Sequence, residues 1–374
     1  MHLVLRSHHM RNALAKAICW SFACASVGIG AQPQSPKQSS DADAQRANVR
    51  EIAESLKRSD LSGPETPMPQ GWRPLRTVWG DPEIEGVYTN VDEWGIPFER
   101  PSEFDGRQLE SITSGELTRL RAERRDAFLE RLATGEPAEP GTIGWYDNLN
   151  ARGSRAWLIV DPPDGRIPAL TPDGQGRAQA DAERQSRPRG TDSYADQGAY
   201  ARCISRGLPG SMIPEAYGDA YEIHQAPGYV AIRYEQIHEA RIIPVDGRPH
   251  VGRAVQSYIG DARGRWDGNS LVVETTNFKE RPTFPTGALR AAFRGADLTA
   301  MRLVERFTPV TPRIVRWSVT VNDATTWVSP WTFAMNLTKV DRSQQPYEYA
   351  CHEGNYGLRN ILGTARALEE RERR

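Results

Sequence analysis

The sequence predicts a mainly β protein: an antiparallel up-and-down barrel or sandwich, with an irregular N-terminal arm that carries one helix. Three observations predict it. Beyond residue 200, apolar and polar residues alternate with period two in short segments, the pattern of strands that bury one face. No 10–15-residue helical pattern alternates with these segments, so βαβ units and a parallel sheet are not expected. Turn formers are abundant, with 27 Pro and 32 Gly among 374 residues, as in a loop-rich fold rather than a helical bundle.

The period-two segments are Tyr221–Gln225, Tyr229–Glu235, Glu239–Pro244, Ser270–Thr276, Met301–Thr308, Ile314–Val321, Trp331–Thr338 and Tyr347–Cys351. Asp246-Gly247 and Asp267-Gly268 read as hairpin turns. Trp317, Val319, Val321 and Asp323 share one strand face, and Trp331, Phe333, Met335 and Leu337 share another. These segments make residues 191–366 the antiparallel β domain. In the arm, residues 71–190, Gly86-Val-Tyr-Thr and Ala156-Trp-Leu-Ile-Val160 read as strands. Ser114–Leu132 reads as the helix, with Ser114 as its cap and Leu117, Leu120, Phe128, Leu129 and Leu132 near helical spacing. Asp173–Tyr200 is rich in Gly, Arg, Gln and Asp and reads as an exposed loop, and 367–374 as a charged tail.

The N-terminus sets the compartment. Residues 1–31 carry Arg6, Arg11 and Lys16, then an apolar stretch from Ala17, then small residues before Gln32-Pro33. This is the layout of a cleaved secretory signal peptide; a retained N-terminal anchor is the other reading. Residues 32–70 are polar and read as a disordered spacer. With 47 basic and 48 acidic residues in the whole chain, losing three basic residues and no acid leaves 44 against 48. A mildly acidic chain without basic clusters is not expected to bind nucleic acid. No stable membrane anchor is expected after cleavage, and the protein is expected in the periplasm or outside the cell. Two cysteines then remain, Cys203 and Cys351. An oxidising compartment favours their pairing as one disulfide; two separate thiols are the alternative.

Several stretches resemble a large family of uncharacterised exported bacterial proteins that carries no established activity. They are Ile159–Pro168, Arg202–Pro209, Ile237–Pro244, Asp261–Phe278 and Tyr347–Tyr356. The hairpin Gly264–Phe278 and the strands after it are also similar to lipocalin-type barrels, a weaker likeness, which implies a ligand cavity lined by Trp and Tyr.

The chemistry-bearing residues concentrate in the β half. His238-Glu239 and His352-Glu353 each pair a base with an acid, and imidazole titrates near neutral pH. Glu239 and Arg241 fall on one strand face, with Arg241 suited to a substrate carboxylate and Glu239 to general-base work; an inter-strand ion pair is the plain structural alternative. The expected catalytic set is His352, Glu353, His238, Glu239 and Arg241. Trp266, Glu274, Trp327, Asn355 and Tyr356 are the expected binding residues, with Arg253, Arg263 or Arg306 as partner of Glu274. No cofactor or metal is expected, although His238, His352 and one Glu could supply three zinc ligands. The chain has no G-x-S-x-G elbow, phosphate-binding loop, Rossmann fingerprint or Cys-x-x-Cys. The expected function is an exported small-molecule protein, an acid–base enzyme (lyase, isomerase or hydrolase) acting on a small polar or glycan-derived substrate. The alternative is a non-catalytic lipocalin-like binding or carrier protein for a small organic ligand. A third is a structural or interaction protein whose charged pairs only hold the sheet together.

Overall fold

The computed structural model describes residues 72–133, 153–186, 190–214, 218–279 and 287–374. The expected signal peptide (1–31) and spacer (32–70) lie outside the described residues.

Ten strands form one antiparallel sheet. They are β1 (Gly86–Thr89), β2 (Ile159–Asp161), β3 (Ala220–Ala226), β4 (Tyr229–Tyr234), β5 (Ala240–Pro244), β6 (Asp261–Asp267), β7 (Ser270–Thr276), β8 (Arg302–Pro309), β9 (Ile314–Asn322) and β10 (Trp331–Val340). The order is β5-β4-β3-β1-β10-β9-β8-β7-β6, with β2 paired to β10. Two meanders, β3–β5 and β6–β10, are therefore joined by β1, which pairs with β3 on one side and β10 on the other. A strand from the segment read as an arm thus sits mid-sheet.

Period-two burial gives the sheet one inner face. Leu303, Glu305 and Phe307 of β8, Val315, Trp317, Val319 and Val321 of β9, and Trp331, Phe333, Met335 and Leu337 of β10 are all buried. The two stripes read from the sequence are this core. Phe333 packs edge-on against Trp317 and tilted against Trp331, with ring centroids 5.6 Å and 5.9 Å apart, so aromatic side chains fill the interior.

The expected barrel is not closed. β5 and β6 are the two edges and share no ladder. The sheet nevertheless curls until their side chains meet. A Cβ on Gly264 of β6 would lie 2.7 Å from Val245 and 2.9 Å from Ile243. The connection between them guards the seam, with Arg263 donating to the Pro249 carbonyl at 2.7 Å and His250 Nδ1 2.8 Å from Asp261. Covering an edge in this way blocks pairing with foreign strands. Asp246-Gly247 starts this connection instead of making a hairpin, whereas Asp267-Gly268 does turn β6 into β7.

Among the described residues four α-helices accompany the sheet: α1 (Ser114–Ala133), α2 (Pro172–Ser186), α3 (Gly287–Ala292) and α4 (Tyr356–Glu372). The cap of α1 is Thr113, not Ser114. Its hydroxyl accepts from the Glu116 amide at 3.2 Å, and the Glu116 carboxylate accepts from the Thr113 amide at 2.9 Å, a reciprocal capping box.

Two corrections concern helices. The expected loop Asp173–Tyr200 begins as α2. Thr171 caps it, accepting from the Gly174 amide at 3.1 Å, and Pro172 takes the first helical position. Its polar composition disguises it, because it docks through Arg177 and two glycine contacts rather than through an apolar stripe. Tyr347–Cys351, expected as a strand, is irregular. The chain then turns and enters α4, which continues through most of the expected charged tail, with Leu358, Ile361, Leu362 and Ala365 half-buried at helical spacing.

Candidate functional site

Three segments distant in sequence meet at one corner: residues 199–207, 236–239 and 349–355. Cys203 and Cys351 form the expected disulfide, with Cα atoms 5.6 Å apart across 148 positions, ordinary disulfide geometry. His238 Nδ1 lies 3.0 Å from the Tyr349 carbonyl oxygen. Tyr200 donates to the Gln236 side chain at 3.1 Å, and Asn355 donates to the Ala201 carbonyl at 3.1 Å.

The backbone here is strained. Ile237 and His238 have φ of 62° and 43°, and Cys203 has 56°. Only one other non-glycine among the described residues, Asn277, has a positive φ. A left-handed conformation costs an L-residue about 1–2 kcal/mol, and a β-branched Ile there is a true outlier. The bend persists because its surroundings fix it. The Glu239 carbonyl accepts from the Tyr234 amide at 2.9 Å, and the His238 amide donates to Glu235 at 3.2 Å. Ile237 itself is buried.

The corner's titratable groups follow from these contacts. A carbonyl oxygen only accepts, so the bond to Tyr349 places the neutral imidazole proton of His238 on Nδ1 and leaves Nε2 as the basic nitrogen. His238 is exposed, and Nε2 has no hydrogen bond among the described residues. Glu239 accepts from the Ser205 hydroxyl at 2.8 Å. Burial pushes its carboxyl above the usual range, and the Ser205 bond partly offsets this. Ser205 is fully buried, and its oxygen also accepts from the Gly207 amide at 2.9 Å. It is therefore no accessible nucleophile. His352 and Glu353 are exposed on the turn after Cys351, and Tyr356 is exposed at the start of α4.

The other expected site residues lie elsewhere. Arg241 turns into the sheet interior, 2% exposed, and grips Glu305 of β8 at 2.5 and 3.1 Å. Trp317 donates to the same carboxylate at 3.1 Å. Arg241 therefore neither shares a site with Glu239 nor can receive a substrate carboxylate. The cause is the bend: Glu239 precedes β5, so the alternation expected for a continuous strand does not hold there. Glu274 pairs with Arg302, which holds its carboxyl below the usual range, and lies 3.6 Å from His250. Of the expected partners, Arg263 pairs with Asp261 and Arg306 with Asp267, and Arg253 is exposed with no ion pair to Glu274 among the described residues. Trp327 is 2% exposed and packs edge-on against Phe293 and Trp331, so its ring face offers no stacking surface. Trp266 is half-buried against the core.

Among the described residues no three His, Cys, Asp or Glu are grouped to hold a metal ion, and His238 and His352 do not form such a set. No helix among them is long and apolar enough to cross a membrane.

Sequence reasoning missed Ser205, Tyr200, Gln236, Tyr349 and Glu305, which reach partners up to 149 positions away and leave no local signal. It also missed Glu93. That residue is buried beside β10, accepts from Ser154 at 2.7 Å, and has its carboxyl pushed up to about 7 by burial. No protein-family model, curated protein or solved structure matches the chain.

Proposed function

We propose that the protein is exported and works outside the cytoplasm as a non-catalytic binding protein, engaging its partner at the disulfide corner. One observation carries the reading: among the described residues, three of the four non-glycine positive-φ residues gather where His238 and Glu239 meet the Cys203–Cys351 turn. Backbone strain of this kind concentrates at functional sites. The corner offers an exposed imidazole nitrogen and, beside the disulfide, His352 and Glu353, groups suited to hydrogen-bonding a polar partner.

Two observations favour binding over acid–base catalysis. The residues that chemistry would need are separated, with Arg241 sealed against Glu305 and Glu274 held by Arg302. The buried Ser205 is bonded to Glu239, not to His238. Aromatic side chains occupy the sheet interior, which supports a surface contact over an internal carrier cavity of lipocalin kind. Export rests on the N-terminal segment and on the disulfide, a bond that persists in oxidising compartments.

The test places a photocrosslinking amino acid at position 353 and expresses the protein in its exporting cell. A discrete crosslinked species that disappears in His238→Ala is the expected result. Two results overturn the proposal: crosslinking unaffected by His238→Ala, or turnover of an envelope metabolite by the purified protein that His238→Ala and His352→Ala both abolish.

A further inference from the structure

The outer face of β6–β9 carries more cations than anions. Alternation turns Arg263 and Arg265 of β6, Arg302 and Arg306 of β8, and Arg316 of β9 outward. The acids on the same face are Asp261, Asp267 and Glu274. Each already has a cation: Asp261 has Arg263 and lies beside His250, Asp267 has Arg306, and Glu274 has Arg302. Arg265 and Arg316 are exposed and have neither an ion pair nor a hydrogen bond among the described residues. Arg155 approaches Arg316 from the arm. Burial holds the Arg155 guanidinium below its ordinary value, Glu93 and Glu110 oppose this, and Arg316 adds to it. Like charges brought this close disfavour one another until an anion joins them.

Strand register sets the spacing. Arg265 and Arg306 stand opposite Val272 from its two sides, two strand widths or about 10 Å apart. Val272 points outward yet is only 5% exposed, so neighbouring side chains lie across it, as arginine stems do on apolar surface. Arg306 pairs with Ser318 of β9, which makes Arg316 its diagonal neighbour at about 7–8 Å. Hydroxyls occupy the positions around them. Ser270 is bonded to Thr308 at 2.8 Å, and Thr320 to Thr332 at 2.9 Å.

We infer that this face binds an anionic polysaccharide. Charge complementarity carries the inference: the face holds two guanidiniums without counter-ions, and such planar forks donate bidentately to carboxylate, sulfate or phosphate groups. The hydroxyl array selects sugar over polypeptide, because it offers donors and acceptors to ring hydroxyls. An acidic peptide is held through a strand edge or an apolar groove. Here the edge strands β5 and β6 lie against each other, and Val272 is covered. The inference is independent of the corner and survives if the binding proposal there fails.

Biolayer interferometry of the disulfide-intact protein on immobilised polygalacturonate and dextran sulfate, from about 50 to 500 mM NaCl, tests it. The wild type is expected to bind at least one of the two and not neutral dextran. Arg265→Gln with Arg316→Gln is expected to weaken that binding about tenfold or more and to lower its log–log salt slope by about 1–2. Both side chains are exposed, and circular dichroism confirms the fold. Arg342→Gln removes an exposed arginine that pairs with Glu85 away from this face, and it is expected to leave binding within about twofold. A wild type that binds neither polymer overturns the inference. So does a double variant that binds as the wild type does, or an equal loss in Arg342→Gln. Tighter binding to poly-L-glutamate than to either polysaccharide also overturns it and makes the face a contact for an acidic polypeptide.

Discussion

His238 and Arg241 stand three positions apart and have opposite roles. Arg241 and Glu305 form a sealed, bidentate pair joining edge strand β5 to β8 across the interior. Removing one partner strands a buried charge, so Glu305→Ala is expected to cost about 3–5 kcal/mol in urea unfolding, whereas Arg241→Met with Glu305→Leu is expected to be close to neutral. His238 is exposed and held at a positive φ. His238→Gly relieves strain of about 1–2 kcal/mol but loses the Tyr349 bond and gains unfolded-state freedom, each about 1 kcal/mol. The same unfolding measurement should therefore move by less than about 1 kcal/mol; a loss above about 2 kcal/mol would make His238 a structural residue. Glu93 gives a pH signature. Its carboxyl is raised by burial from 4.5 to about 7, so the folded state holds a proton that the unfolded state has lost. The stabilisation is complete below pH 4.5 and disappears as pH rises through 7, a fall of about 3 kcal/mol. Glu93→Gln is expected to remove that fall, read as the difference between the two stability–pH curves. The sequence marks the His-Glu pairs and both cysteines, yet says nothing of Glu305 or Ser205. Ion pairs and hydrogen bonds across strands depend on register, which no local pattern encodes.

Among the elements, strand legibility follows burial. β7 is read to the residue, and β8, β9 and β10 to within one or two, because their alternation is strict. Tyr347–Cys351 alternates as well but finds no partner strand, and its position is fixed by the disulfide and by His238 instead. The helix α2 illustrates the opposite error. Its docking relies on close backbone approach: a Cβ on Gly174 would lie 2.5 Å from the Thr326 carbonyl oxygen, and one on Gly295 would collide with the Gly174 carbonyl. Arg177 then reaches the Gly295 and Thr325 carbonyls, each at 2.9 Å. Gly295 also has φ +75°. Gly295→Ala is thus expected to cost about 2–4 kcal/mol, from backbone strain plus overpacking, and hydrogen exchange should show α2 loosening before the sheet. Equal protection of α2 in the variant and the wild type would refute this docking scheme.

At the scale of the molecule, one curled antiparallel sheet carries both the stability and the display of the corner. The sequence-level expectation of a mainly antiparallel β protein holds, while closure does not, because closure depends on the two edge strands and the long connection between them rather than on alternation. The disulfide ties the C-terminal segment and the start of α4 to the strained bend. It is this tie that brings the Tyr349 carbonyl to His238 and so sets which imidazole nitrogen is basic. Imidazole ¹⁵N NMR reads that state directly, and the most telling measurement is the tautomer of neutral His238 before and after reduction of Cys203–Cys351. The account predicts a proton on Nδ1 in the oxidised protein, with that preference lost on reduction while the β-sheet signals persist. A proton on Nε2 in the oxidised protein, or a tautomer indifferent to reduction, would contradict it.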